Sequence, residues 1–195
     1  GADDGNLTNS GMVYLYEREQ NGSWGSETII KPFDGQAGES FGHSVSLEGD
    51  RVLAGSRKGR NSYGHQTGAA YLFTKVGGNW VQETKFTPWD SNGTDYFGSS
   101  VRLDGNYSYV AADLQNRGSD TEVGAVYVFR KLPTGQWAPE VKLQPNDLGA
   151  NGRFGFSLDS AGDSVLVGAP LKNEVFGSPG AAYWFQRDGQ GNWSE

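Results

Sequence analysis

Few side chains in this chain could do chemistry. His43 and His65 are the only histidines and cysteine is absent, so thiol chemistry and a disulfide framework are excluded. His43 occupies a position that two related segments fill with Ser99 and Phe156, a variety at odds with a catalytic base. Neither a Gly-X-Ser-X-Gly elbow nor a phosphate-cradling glycine loop is present, so a serine nucleophile lacks its usual setting. Two acidic pairs, Asp34 with Glu39 and Asp90 with Asp95, share a spacing that could converge on a cation, but the third segment offers Asp147 with Gly152. Turn stabilisation by side-chain to backbone hydrogen bonds accounts for them better. The reading is a non-enzyme with no metal site.

Binding chemistry is better supplied. Arg57, Lys58, Arg60, Tyr63 and His65 make one basic loop in an acidic chain, the leading choice for a contact surface. Asp113, Asp120 and Glu122 form an acidic loop one segment further on, and two loops of opposite sign could pair with each other. Tyr63, Trp89 and Tyr96 could stack on a sugar ring, while the Arg57 to Arg60 cluster could meet an acidic protein or an acidic glycan.

The elements that must position these residues are repeats. Phe-Gly recurs at Phe41, Phe97 and Phe154, spaced 56 and 57 residues apart. The same step separates Gly-Ala-X-Tyr at Gly68, Gly124 and Gly180, with a Gly-Met-Val-Tyr version at Gly11, and also separates Trp24, Trp80, Trp137 and Trp193. Each full period reads as four short strands joined by tight turns, for example Phe41 to Leu47, Arg51 to Gly55, Ala69 to Lys75 and Trp80 to Thr87. Middle strands such as Val165, Leu166 and Val167 have no polar face, as a sheet packed on both sides requires. Tyr14, Tyr71, Tyr127 and Tyr183 are expected to pack between sheets. A period near 50 residues without helical patterning predicts an all-β chain, a β-propeller of four-stranded antiparallel blades. The array divides into a partial blade over 1–40, blades over 41–96 and 97–153, and a blade over 154–195 truncated in its outer strand.

These segments resemble the FG-GAP repeats of the integrin α-subunit propeller and of many secreted or surface proteins. Phe154-Gly155 with Gly168-Ala169-Pro170 carries the full motif, and Gly180 to Tyr183 carries the strand that follows; Gly55-Ser56 and Ala112-Asp113 are drifted versions. The resemblance implies seven blades with the first strand innermost, so about 3.5 repeats correspond to half a ring. It also implies that partners bind the face bearing the loops after strands two and four. Here these loops are Gly1 to Ser10, Ser56 to Thr67, Asp113 to Val123 and Pro170 to Pro179, together with Pro32 to Ser40, Pro88 to Tyr96 and Pro145 to Arg153. Integrin-type repeats place calcium in an Asp-X-Asp-X-Asp-Gly loop between strands one and two. The turns here, Glu48-Gly49-Asp50, Asp104-Gly105-Asn106 and Asp159 to Asp163, are too short and too poor in carboxylates. Calcium is therefore not carried over, and no cofactor is expected.

A formal charge of -7 opposes nucleic acid as a partner, and no apolar run reaches the roughly 20 residues that membrane insertion requires. Five Asn-X-Ser/Thr sequons, at Asn6, Asn21, Asn92, Asn106 and Asn192, all fall in expected loops or turns. About two would arise by chance, so the excess favours a secreted or cell-surface, glycosylated protein. Both termini cut through repeat units, leaving open sheet edges. Two explanations are a fragment of a longer chain with further blades, or self-association through those edges. The expected function is adhesion or recognition of a protein or glycan by the loop face, and the alternative is a structural unit assembling into a ring or filament.

Overall fold

The computed structural model describes residues 8–91, 93–172 and 179–195. All of its regular structure is strand. A short hairpin, β1 (Val13–Leu15) and β2 (Thr28–Ile30), precedes three antiparallel sheets. The first comprises β3 (Phe41–Glu48), β4 (Arg51–Ser56), β5 (Ala69–Val76) and β6 (Asn79–Phe86). The second comprises β7 (Phe97–Asp104), β8 (Tyr107–Ala112), β9 (Ala125–Lys131) and β10 (Trp137–Leu143). The third comprises β11 (Ser157–Ala161), β12 (Ser164–Ala169), β13 (Ala181–Arg187) and the stub β14 (Trp193–Ser194). Strands in each sheet lie in sequence order, and β7 contacts both β3 and β11, so the first strands run side by side. Sheets of four strands stacked face to face, each entered by its first strand, are propeller blades. Among the described residues no helix is long and apolar enough to cross a membrane.

The repeated sequence marks turn out to be two halves of one backbone joint. Ser40, Tyr96 and Arg153 sit at positive φ immediately before Phe-Gly. The N–H groups of His43, Ser99 and Phe156 donate back to the Ser40, Tyr96 and Arg153 carbonyls at 3.2, 3.0 and 3.2 Å. Phe-Gly is thus the centre of a tight turn whose third position needs a positive φ. The Phe in that turn bridges, in parallel sense, the glycine of the preceding Gly-Ala-X-Tyr strand: Gly11 with Phe41, Gly68 with Phe97 and Gly124 with Phe154. A Cβ on Gly68 would lie 2.1 Å from the Phe97 carbonyl oxygen, at a φ of +89°. Only glycine lets the two blades touch there. β3 and β7 begin at the Phe of this turn, whereas β11 begins at Ser157.

Blade faces close over apolar clusters. Leu53, Ala70, Leu72 and Phe86 of one blade cover Phe97, Val101, Leu103, Tyr127 and Phe129 of the next. The same positions recur between the second and third blades, where Val126, Val128 and Leu143 cover Phe154, Tyr183 and Phe185. Outer strands add a polar clamp. Glu83 accepts from Lys131 Nζ at 2.7 Å and Trp137 Nε1 at 2.9 Å, and Glu140 accepts from Arg187 Nε at 3.1 Å and Trp193 Nε1 at 3.2 Å. At the first hairpin the clamp changes: Lys75 donates to Glu17, Glu27 accepts the Tyr16 hydroxyl, and the buried Trp80 Nε1 has no hydrogen-bond partner.

Candidate binding face

The loops after the second strands and those between blades are tied into one surface by their backbones. Lys58 N–H donates to the Glu39 carbonyl and Leu114 N–H to the Asp95 carbonyl, both at 3.2 Å. Beneath this surface a three-part clasp recurs that sequence reasoning missed. Asp34, Asp90 and Asp147 accept from Lys85, Lys142 and Lys172 at 2.7, 2.8 and 2.5 Å. Each ammonium lies 5.1 to 5.4 Å from the ring centre of Tyr71, Tyr127 or Tyr183. The Tyr127 hydroxyl stands 2.5 Å from both Asp90 and Gln115. Burial pushes the Asp90 carboxyl up, yet the hydrogen bonds from Lys142 and Tyr127 outweigh it and leave the group below its ordinary range. The sequence signal was Pro-X-Asp before each Phe-Gly, read together with the Tyr of Gly-Ala-X-Tyr.

The second acids of the pairs behave differently. Glu39 is buried, its Oε2 accepting the Gln36 N–H at 3.1 Å and its Oε1 lying 3.8 Å from Arg60. Asp95 is buried against the Ser91 hydroxyl. Burial raises both above the ordinary carboxylate range. Both acids therefore brace their own turns, whereas Asp34 and Asp90 reach across to neighbouring strands. An acid raised on folding contributes most stability below its unfolded pKa, and that contribution is lost as pH rises through the folded value. We expect Glu39→Gln, which keeps the Gln36 contact, to raise folding stability at pH 7 by on the order of 1 kcal/mol. The gain should vanish below the unfolded range of glutamate, as urea melts at neutral and acid pH would register.

The structure redistributes the expected ligand contacts. Arg57 is not free, because its guanidinium stacks 4.0 Å from the centre of the Tyr96 ring, which half-buries both residues. Arg60 is also engaged, donating to the Gly64 carbonyl at 3.1 Å and facing Glu39. Asp113 is a correction: it lies buried at the end of β8, 3.8 Å from Arg153. The acidic loop is neutralised by Arg153 and by its own Arg117, not by the basic loop as the charge pattern suggested. His43 is exposed on β3, and its pKa is lowered by partial desolvation and by Arg57, with Asp113 opposing. Trp89 is exposed on one side and packs its edge on Tyr127, ring centres 4.7 Å apart.

What remains presented is Lys58, Tyr63, His65 and part of Trp89. Tyr63 is 84% exposed, yet the turn beneath it is braced. Asn61 Oδ1 accepts the N–H groups of Tyr63 and His65 at 3.0 Å, and the Asn61 N–H donates to the His65 carbonyl at 2.9 Å. Tyr63 and His65 then stand side by side with ring centres 6.4 Å apart.

Asn21, Asn106 and Asn192 are exposed in turns; Asn21 Oδ1 accepts from Ser23 N–H and Oγ at 2.8 and 2.7 Å, and Asn192 Nδ2 donates to Asp188 at 3.0 Å. Asn6 and Asn92 lie outside the described residues. The turns compared with calcium loops use their carboxylates between blades. Glu48 accepts the Gly105 N–H at 2.8 Å, Asp104 accepts the Gly162 N–H at 3.0 Å, and Asp159 pairs with Arg102 at 3.0 Å. Carboxylates so engaged do not fit a calcium site, and among the described residues no three His, Asp or Glu side chains gather as a ligand set.

Fold and repeat joint together define a β-propeller repeat protein. Residues 24–73, 80–129 and 137–185 each match the FG-GAP repeat model, and the chain belongs to that family. No curated protein sequence is detectably similar to it. Among solved structures, a GH43 endo-arabinanase from Bacillus licheniformis is similar at 12% identity and a TM-score of 0.45, over 96% of this chain and 69% of that one. A likeness at that level says nothing of activity here.

Proposed function

We propose that this chain is a non-catalytic recognition module, secreted or displayed at a cell surface, that engages a protein or glycan through the loop face. The observation that carries this reading is Tyr63, almost fully exposed on a turn held by four local hydrogen bonds through Asn61 and Gly64. An aromatic ring fixed in water at the tip of a rigid loop loses little entropy on contact and offers a large face to a partner. Lys58, exposed in the same loop, supplies the cation that Arg57 and Arg60 do not. Sequons on exposed turns agree with passage through a glycosylating compartment.

The test is a screen of the labelled chain against immobilised glycans and extracellular proteins, followed by titration of any ligand with Tyr63→Ala and Lys58→Ala. Tyr63→Ala should weaken binding about tenfold or more while leaving the melting temperature unchanged. Full retention of affinity in both variants would remove the loop face from the proposal. Turnover of a bound glycan by the purified chain would overturn the non-catalytic part.

A further inference from the structure

We infer that the ligand of the loop face is a neutral, linear glycan chain laid across three aromatic rings, Phe33, Tyr63 and Trp89, that successive loops display. This names the ligand class of the recognition reading and rests on that reading. Two of the rings are displayed by the Pro-X-Asp turn that precedes each Phe-Gly. In that turn Pro32, Pro88 and Pro145 are buried, and Asp34, Asp90 and Asp147 are held by Lys85, Lys142 and Lys172. The residue between them is left in water: Phe33 is 85% exposed, Trp89 is 44% exposed and Asn146 is exposed. At Phe33 the Gly35 N–H donates to the Pro32 carbonyl at 3.4 Å, and the Phe33 N–H donates to Gln82 Oε1 of β6 at 3.3 Å. The ring is therefore mounted on a backbone fixed from both sides.

The loop bearing Tyr63 lies between the other two. Its Lys58 N–H and Arg60 guanidinium meet Glu39, in the loop of Phe33, and its Arg57 stacks on Tyr96, in the loop of Trp89. Three rings on three loops docked in series form a row and not one continuous patch. Polar side chains interrupt it: Lys31 and Gln36 flank Phe33, Ser62 and His65 flank Tyr63, and all four are exposed. The centre of a protein–protein interface is apolar and depleted of charge. A sugar unit instead carries a C–H face, which settles on the electron-rich face of an aromatic ring, inside a belt of hydroxyls that calls for polar neighbours. Rings set apart among hydrogen-bonding side chains fit that pattern, and several in a row fit a chain of sugars rather than a single unit. Charge narrows the class further. Arg57 and Arg60 are engaged within the loops and the chain carries a formal charge of -7, which opposes a polyanionic glycan.

The test is affinity electrophoresis of the intact chain in gels containing xyloglucan, galactomannan, mixed-linkage β-glucan or dextran, beside Phe33→Ala, Trp89→Ala and Val81→Ala. At least one of these neutral polysaccharides should retard the wild type, and Phe33→Ala and Trp89→Ala should each weaken that binding about fivefold or more. Val81→Ala, which removes an exposed apolar side chain at the other end of β6, should bind as the wild type does, and Phe33→Tyr should restore affinity. Oligosaccharides cut from the retarding polysaccharide should compete better as they lengthen, because longer chains reach more rings. Thermal melts establish that the variants are folded, and Trp89→Leu, which keeps bulk against Tyr127, replaces Trp89→Ala if that variant is not. Unchanged wild-type mobility in every gel, or full affinity in both Phe33→Ala and Trp89→Ala, would overturn the inference. Capture of an extracellular protein through Tyr63 beside such a result would leave the recognition reading standing, whereas finding neither a glycan nor a protein ligand would remove both.

Discussion

Replacing Gly68 by alanine should cost at least about 4 kcal/mol and leave little folded protein at 37 °C. The added methyl would sit 2.1 Å from the Phe97 oxygen and 2.5 Å from its nitrogen, both backbone atoms with no rotamer to yield. A φ of +89° adds its own penalty for any L side chain. Relief requires the two blades to separate, which would also break the hydrogen bond from Phe97 N–H to the Thr67 carbonyl at 3.1 Å and uncover the cluster around Phe97 and Tyr127. Gly49→Ala is the control. It also has positive φ, but no atom lies within 4 Å of the added methyl, so only backbone strain of roughly 1 kcal/mol is expected. Chemical denaturation of both variants measures the difference; equal, small losses would show that the Gly68 contact does not join the blades.

That joint also explains how much of the fold could be read from the residues. Phe-Gly and Gly-Ala-X-Tyr keep a fixed spacing because a backbone contact fixes it, and the contact tolerates no side chain at Gly11, Gly68 or Gly124. Strand order followed from tight turns such as Glu48-Gly49-Asp50, which connect neighbours in one sheet. Such requirements are local or strictly periodic, so the bare sequence carries them. Exposure was harder to read: Tyr14, expected to pack between sheets, is exposed where Tyr71, Tyr127 and Tyr183 are buried, since residue type records a blade face and not whether another face covers it.

The loops were legible as long polar segments, but not in how their side chains pair. The segment after the second strand of the first full blade is a loop, as its length and polarity suggest, and Tyr63 and Lys58 are exposed there. Charge, however, does not say which partner a side chain will find. Arg57 meets Tyr96, Arg60 meets Glu39, and Asp113 meets Arg153, each where a loop after a second strand docks on a loop between blades. A loop that looked uniformly basic thus keeps one exposed lysine, and the Asp–Tyr–Lys clasp beneath it joins side chains tens of residues apart in sequence. Periodicity flagged each member separately without revealing that they meet.

Phe97→Ala should destabilise the chain by about 3–5 kcal/mol, and Phe41→Ala by appreciably less, although both rings are buried. Phe97 packs edge-on against Tyr127 and Phe129, ring centres 5.3 and 6.2 Å apart, in a cluster that includes Leu53, Ala70, Leu72 and Phe86 of a complete blade. Both walls of that cavity are tied into four-stranded sheets and cannot collapse to fill it. Phe41 makes the equivalent contacts with Tyr71 and Phe73 at 5.7 and 6.0 Å, but its other wall is Val13 and Ile30 of the two-stranded hairpin. A hairpin alone is marginally stable and can move inward, and the cost of a cavity depends on that freedom. Urea unfolding of the two variants at equal, low concentration compares the walls directly. Equal losses would mean that the hairpin is held as firmly as a whole blade, while a smaller loss at Phe41 would identify the first hairpin as the compliant end of the array.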